Sequence, residues 1–371
     1  MRILLDISPA NFTPGGTTTY IHNLAYSLPS VCEQRNAKLL ISTLPRYLHA
    51  TGNKGITHKI KIAAWDIYYM QLLLLQRAYS NNCDLIHAPA FRIPLFSSIP
   101  TIVTFFDTTI LAPESMHRMR DKLVLSFYMR IAAKKATHII TISKNSRQDI
   151  ARLLSLNLER ITVTYPGVSP LFQPMASAKV RETLERYQIS YPYILSVCTL
   201  EPRKNLVRVL EAYTDLKLKY KIPQHLVLVG KRGWLDNPIF DTVKRLNLSD
   251  HVHFTGFVQD VDLPNIYAGA DLFVYPSLYE GFGLPVLEAM ACGVPVVTSN
   301  VSSLPEVAAD AALLVDPKNI AAIASAMMNV LDNPQLSMAL REKGLIRAKL
   351  FSWEKCADET FDVYKFILGI S

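Results

Sequence analysis

A chain of 371 residues, half of them hydrophobic and 19% charged, is long enough for two domains of ordinary size and too apolar to stay disordered. Its apolar runs, such as Tyr68–Gln76, fall far below the roughly 20 residues that a bilayer span needs, and its five cysteines (Cys32, Cys83, Cys198, Cys292, Cys356) show no CxxC spacing for a zinc site or a disulfide framework. The net charge of +8 is uneven: residues 1–175 carry 19 Lys and Arg against 9 Asp and Glu, a balance of +10, while residues 176–371 balance at −2. A basic first half suits an anionic surface such as lipid head groups, or a polyanionic ligand; the plainer reading is a solvated face.

"MRILLDIS" opens directly into a strand pattern, without a signal peptide's cleavage site, and reads as the start of a cytoplasmic, reduced protein. Five more short apolar runs follow in the first half: "KLLISTL", "DLIHAPA", "PTIVTFFD", "THIITIS" and "RITVTYP". Amphipathic segments between them predict helices over Asn23–Leu28, Tyr68–Tyr79, Asp121–Ala136 and Asn145–Leu154. Pro166, Gly167, Pro170 and Pro174 then mark a boundary, after which the pattern restarts. "YILSVCTL", "HLVLVGK", "VHFTGFV", "DLFVYPS", "VPVVTS" and "AALLVDP" read as strands. "NLVRVLEAYTDLKLKY", "IFDTVKRLN", "DLPNIYAGA", "LPVLEAMA" and "IAAIASAMMNVLDN" read as helices. The closing "SWEKCADETFDVYKFIL" is a helix long enough to return to the first domain. The expected fold is α/β, with two doubly wound parallel-sheet domains over 1–170 and 171–352, a final helix over 353–371, and a cleft between the domains.

Ligands of such sheets bind beyond the carboxyl ends of the strands, so the residues there are the candidates. "TPGGTTTY" (Thr13–Tyr20) places a glycine pair before a helix, where backbone N–H groups can approach a phosphate or a sugar; a tight turn explains it equally well. "LEPRKN" puts Arg203 and Lys204 near a helix start, where two cations are unfavourable unless an anion joins them. In "EGFGLPVLE", Pro285 suits a first helical turn and Gly293 the position past the helix end. The N–H groups of Phe282, Gly283 and Leu284 can then hold an anionic or hydroxyl-rich ligand, with Glu288 in the first turn accepting from a ribose diol and Glu280 contacting a transferred sugar. Asp260 and Asp262 form an Asp-x-Asp of the kind that binds metal, but Asp262 is read as the cap of the helix that follows. The histidines lack ligand spacing, and His87, at a strand end, is the one singled out.

"EGFGLPVLEAMACGVPVV" resembles the E-x(7)-E signature of the retaining nucleotide-sugar glycosyltransferases of family 4. "YILSVCTLEPRKN", "VHFTGFV", "YAGADLFVYPS", "SSLPEV", "FSWEKCA", "PGGTTTY", "LIHAPA" and "THIITISKNSRQDI" are similar to that family in the expected order, over nearly the whole chain. The resemblance implies a GT-B fold, acceptor domain first and donor domain second. It implies that Arg203 and Lys204 neutralise the donor diphosphate, Glu288 holds the ribose, and Glu280 with the Phe282–Leu284 backbone holds the sugar. Gly16 would approach the diphosphate, Lys231 with Phe257 and Val258 would line the base pocket, and Asp107 would bind acceptor or sugar. Family members have His-Asp after the strand that is "TIVTFFD" here; this chain has Phe106 before Asp107, which implies a sugar without a 6-hydroxyl or a loss of activity.

The implied reaction is retaining and independent of metal or cofactor: the leaving diphosphate takes the acceptor's proton while Arg203 and Lys204 stabilise its charge, and domain closure excludes water. The implied partners are a nucleotide diphosphate sugar, GDP-linked by preference, a glycan or lipid-linked saccharide acceptor of surface polysaccharide or lipopolysaccharide synthesis, and an anionic membrane surface at the inner face of the plasma membrane. For the last, Arg118, Arg120, Lys122, Arg130, Lys134 and Lys135 gather around one helix. Two other readings stay open: a sugar-nucleotide epimerase or hydrolase on the same fold, and an inactive homologue that serves as a binding subunit. Nucleic acid is not an expected partner, since the basic residues are not interleaved with aromatics.

Overall fold

Strands that are buried on both faces read as unbroken apolar runs, and the runs named above become parallel strands. The computed structural model describes residues 1–11, 15–44, 65, 67–111 and 119–370; the side chains of 119–121 lie outside the description. It divides into two compact units, Met1–Gly167 with Trp353–Ser371, and Val168–Ser352.

In the first unit, β1 (Arg2–Asp6), β2 (Lys38–Ser42), β3 (Leu85–Ala88), β4 (Thr101–Phe105), β5 (His138–Thr141) and β6 (Ile161–Val163) form a parallel sheet in the order β2-β1-β3-β4-β5-β6. Ile86 and Ala88, two residues apart on β3, point to one face of this sheet. Ile86 packs there with Tyr69, Met70 and Leu74, and Ala88 with Met129, Ala132 and Ala133. The segment that holds Tyr69–Ser80 and the helix Met119–Lys135 therefore cover the same face. The closing helix Trp353–Leu368 packs along the helix Gly16–Gln34, with Arg35 bonded to Asp358 at 3.0 Å and to Asp362.

In the second unit, β7 (Tyr193–Val197), β8 (His225–Val229), β9 (Val252–Gly256), β10 (Leu272–Tyr275), β11 (Val296–Ser299) and β12 (Leu313–Val315) form a parallel sheet ordered β12-β11-β10-β7-β8-β9. The strand order reverses between β7 and β10.

Several helices depart from the sequence expectation. Gly16–Gln34 runs well beyond Asn23–Leu28 at both ends. The β-branched run Thr17–Thr19 and the internal Pro29 argue against helix locally, and burial of Tyr20, Ile21, Leu24, Leu28 and Val31 overrides them. Ser177–Arg186, Leu304–Ala308 and Pro334–Ala348 were not expected. The last buries only Leu340, Gly344 and Ala348, a narrow stripe with little apolar signal. Gly344 lets it lie close against the helix Leu284–Ala291, since a Cβ there would meet Met290 Cγ at 3.3 Å.

Candidate active site

Where the order of a parallel sheet reverses, the loops leaving the two central strands diverge and open a crevice at the carboxyl edge. In the second unit those loops follow β7 and β10. The first carries Glu201, Arg203 and Lys204, and the second carries Glu280. Asn205, buried and in the left-handed region (φ 63°), fastens the first loop by donating to the carbonyls of Pro276 at 2.9 Å and Pro317 at 2.6 Å. The second loop is strapped by serines: Glu280 N donates to Ser302 Oγ at 3.0 Å, and Ser303 Oγ donates to the carbonyls of Glu280 and Phe282 at 2.9 and 2.7 Å. Gly283 has φ 114°, and a Cβ there would meet Leu304 at 2.6 Å, so only glycine fits the turn into the helix Leu284–Ala291.

These loops bring Arg203, Lys204 and Glu280 together. Lys204 Nζ donates to Glu280 Oε1 at 2.7 Å and to the Tyr275 hydroxyl at 2.8 Å, and that hydroxyl donates to the same Oε1 at 2.9 Å. Arg203 Nη1 donates to Glu280 Oε2 at 2.8 Å and to the Tyr279 carbonyl at 2.7 Å, and Nη2 donates to Glu201 at 2.7 Å. Burial pushes the Glu280 carboxyl up, but the Arg203 and Lys204 charges outweigh it and hold the group down at about 2. Two cations thus meet two carboxylates. Glu280, distant in sequence, lies alongside the two cations and supplies an anion that the sequence leads one to expect from a ligand. Arg203 keeps 28% of its side-chain surface exposed and Lys204 only 10%, so the guanidinium is the more accessible to a ligand.

Glu288 lies in the second turn of its helix rather than the first, so it does not serve the helix start. It accepts from the Tyr267 hydroxyl at 2.9 Å. Burial pushes its carboxyl up to about 7; the Tyr267 bond opposes this and the Asp260 charge adds to it. Leu284 opens the helix, and the buried Phe282 ring meets Phe351 edge-on at 5.8 Å. Beyond β8 and β9, Lys231 Nζ sits 4.3 Å from the centroid of the Phe257 ring, which is 59% exposed, while Val258 is buried. Asp262 stands at the cap position, just before the helix Leu263–Ala268, but its side chain makes no capping bond. Its carboxylate instead takes a two-pronged bond from Arg186 at 2.8 and 3.0 Å and one from Tyr187 at 2.9 Å. The capping role expected for it is therefore replaced by an ion pair. Among the described residues no three His, Cys, Asp or Glu gather as a metal would require.

The remaining candidates belong to the first unit. Gly16 opens its helix after Gly15, which has φ 111°, and a Cβ on either would meet no described atom within 4 Å; Thr13 and Pro14 of the motif lie outside the described residues. Phe106 follows β4 directly and packs edge-on against Tyr20, ring centroids 5.1 Å apart. Asp107 Oδ1 accepts from Thr109 N at 2.9 Å and from its hydroxyl at 2.6 Å. His87 is a core residue: both ring nitrogens are engaged, by the Tyr364 hydroxyl at 2.6 Å and by Thr104 at 2.8 Å, and burial pushes its pKa down to about 3.

Residues 183–347 match the model of glycosyl transferases group 1, and residues 14–170 match that of glycosyltransferase family 4. The chain is 38% identical, over 382 aligned positions, to O-antigen chain mannosyltransferase B of Escherichia coli, covering 99% of this chain and all of that one. The chain belongs to glycosyltransferase family 4. A more distant relative of this glycosyltransferase is the O-antigen chain mannosyltransferase RfbU of Salmonella typhimurium, 27% identical over 75% of this chain and 74% of that one. Sucrose-phosphate synthase from Thermosynechococcus elongatus superposes over the whole of both chains with a TM-score of 0.79 at 21% identity. WaaG, a glycosyltransferase involved in lipopolysaccharide biosynthesis, does so over 98% of this chain and 99% of that one at 0.72 and 16%. At such identities the likeness shows the fold alone, which is the expected GT-B.

Sequence reasoning about this glycosyltransferase missed the groups that position the charged residues: Tyr275, Tyr267, Asn205, Ser302 and Ser303. The tyrosines left a signal. Each sits in a buried run, and a buried phenol needs a hydrogen-bond partner that neighbouring apolar residues cannot supply.

Proposed function

We propose that the enzyme transfers a sugar, with retention, from a nucleoside diphosphate donor to a saccharide acceptor in surface polysaccharide synthesis, without a metal. The observation that carries this reading is the meeting of Arg203, Lys204 and Glu280 at the carboxyl edge where the second sheet reverses. Arg203 and Lys204 take the charge that develops on the diphosphate as the bond from C1 to the phosphate oxygen breaks. The acceptor oxygen bonds to C1 on the same face, and its proton passes to the departing diphosphate. Glu280, ionised and immobile between the cations, keeps both at the diphosphate and turns its carboxylate to the sugar hydroxyls. Glu288 accepts from the ribose diol, and the Phe282–Leu284 backbone lines the sugar. The exposed Phe257 ring offers a stacking face for the base, with Lys231 over the ring and the buried Val258 following it in sequence. Asp107 and Phe106 face acceptor or sugar. The donor is a GDP-linked hexose or 6-deoxyhexose: the names of the mannosyltransferase relatives support the hexose, and Phe106, which has no hydrogen bond for a 6-hydroxyl, supports the 6-deoxy sugar. The test is a panel of nucleotide sugars read by thermal shift and by nucleotide release with a saccharide acceptor. Release without transfer would favour a hydrolase, and binding with neither would favour a binding subunit.

A further inference from the structure

Four charges meet where the loops after β7 and β10 adjoin: Arg203 and Lys204 against Glu201 and Glu280. Together they are electrically neutral. A nucleoside diphosphate brings negative charge of its own on each of its phosphates. A neutral cluster gives such an anion little long-range attraction, and each carboxylate repels it at close range. One carboxylate must therefore withdraw before both cations can face a diphosphate.

The two carboxylates are not held alike. Glu280 accepts from Lys204, from the Tyr275 hydroxyl and from Arg203, using both of its oxygens, and its backbone N–H is fixed on Ser302. Among the described residues Glu201 accepts hydrogen bonds from Arg203 alone, at 2.7 Å from Nη2 and 3.1 Å from Nε, and both end on the single oxygen Oε1. Its side chain makes no capping bond to the turn Pro202–Lys204, and it keeps 15% of its surface exposed against 9% for Glu280. The main chain around it is tied down independently of that carboxylate. The Glu201 carbonyl accepts from Lys204 N at 3.0 Å, and the Arg203 carbonyl accepts from Leu278 N at 2.9 Å. Glu201 can thus leave Arg203 by rotation about its own side-chain bonds, with the loop unmoved. The edge of the guanidinium that it occupies, Nε with Nη2, is one that receives carboxylate or phosphate oxygens side-on.

We propose that Glu201 stands in for the donor's diphosphate. Its carboxylate occupies the Nε–Nη2 edge of Arg203 in the free enzyme, yields that edge to a diphosphate oxygen when the donor binds, and reclaims it as the nucleoside diphosphate product departs. The inference rests on the diphosphate assignment proposed above and adds to it the residue that limits affinity. Glu201 keeps Arg203 in place while the site is empty, and its competition prevents the product from being retained.

The test is calorimetric titration of the full chain with GDP and with UDP over a range of salt, in wild type, Glu201→Gln and Glu201→Asp. Glutamine removes the charge but keeps an amide oxygen that can accept from Arg203, which stays paired with Glu280, so the free protein should melt close to the wild type. The dissociation constant of Glu201→Gln for the nucleotide that binds should fall on the order of tenfold, because a like charge no longer lies beside the diphosphate. That gain should shrink as salt rises. Glu201→Asp, which retains the charge, should bind as the wild type does. An affinity that Glu201→Gln weakens would overturn the proposal, as would a gain that salt leaves undiminished or that Glu201→Asp shares. Nucleotide bound equally by wild type and Glu201→Gln would overturn this inference and leave the diphosphate assignment standing. Failure of both proteins to bind either nucleotide would overturn the assignment and the inference with it.

Discussion

Replacing Glu280 with glutamine removes the one carboxylate that holds both Arg203 and Lys204, at 2.8 and 2.7 Å, and leaves the buried Lys204 ammonium without an opposite charge, facing the Tyr275 hydroxyl and ring and at best an amide oxygen. Breaking a buried ion pair from one side costs about 3–5 kcal/mol. The carboxyl itself gives a second route to the magnitude. Its pKa is held at about 2 instead of 4.5, a difference worth about 3 kcal/mol. Because the folded value lies below the unfolded one, this stabilisation is whole above pH 4.5 and is lost as pH falls through about 2. For a unit of this size such a loss lowers the melting temperature by roughly 10 °C. Calorimetry of wild type and Glu280→Gln at neutral pH should show that drop in one transition. The gap should narrow as pH falls toward 2, where the wild-type carboxyl is itself neutral. Adding Lys204→Met should recover part of the loss, since no ammonium is then stranded. A Glu280→Gln protein that melts with the wild type at neutral pH, or a gap that persists undiminished at the lowest pH, would refute the reasoning.

Other outcomes follow from the same geometry. Turnover should survive excess chelator, and activity lost to EDTA and restored by Mn²⁺ or Mg²⁺ would show that Asp260 takes part in a metal site. Glu288 must be ionised to accept from a diol, so KM for the donor should rise as pH falls below about 7, and Glu288→Gln should flatten that dependence. Burial raises this carboxyl, so its contribution to stability is present below pH 4.5 and lost as pH rises through about 7; Glu288→Gln should accordingly melt higher than wild type in alkaline buffer, and a lower melting temperature there would contradict the assignment. Phe106 offers no hydrogen bond to a 6-hydroxyl, and an unpaired polar group costs about 1–3 kcal/mol, so the wild type should prefer GDP-rhamnose to GDP-mannose and Phe106→His should reverse this. An unmoved preference would make Phe106 a packing partner of Tyr20 and nothing more.

The strands were legible because burial on both sides forces unbroken apolar runs such as "LIHA" and "HLVLV". Helix extents were less so. Pro29 and the threonines before Tyr20 conceal the length of Gly16–Gln34, and Pro334–Ala348 packs through Gly344 and two other positions that carry no apolar period. At the site, the residue types at the loop after β7 and at the E-x(7)-E stretch could be read, because glycine and proline fix the turn there. Their pairing could not. Glu280 reaches Lys204 only because β10 lies beside β7, a fact of sheet order that no local spacing records. The same holds for Lys231 over Phe257, and for Asp262, whose partner Arg186 lies on a helix absent from the sequence reading.

The central claim is that Arg203 and Lys204 carry the charge of a departing nucleoside diphosphate. The measurement that tests it is the rate of nucleotide release, with donor and saccharide acceptor, in wild type, Arg203→Ala and Lys204→Ala, each first shown to be folded by circular dichroism and melting. Each substitution should cut turnover on the order of 10²-fold or more, as loss of a charge-stabilising group does. Folded variants that release nucleotide at near wild-type rates would contradict the assignment.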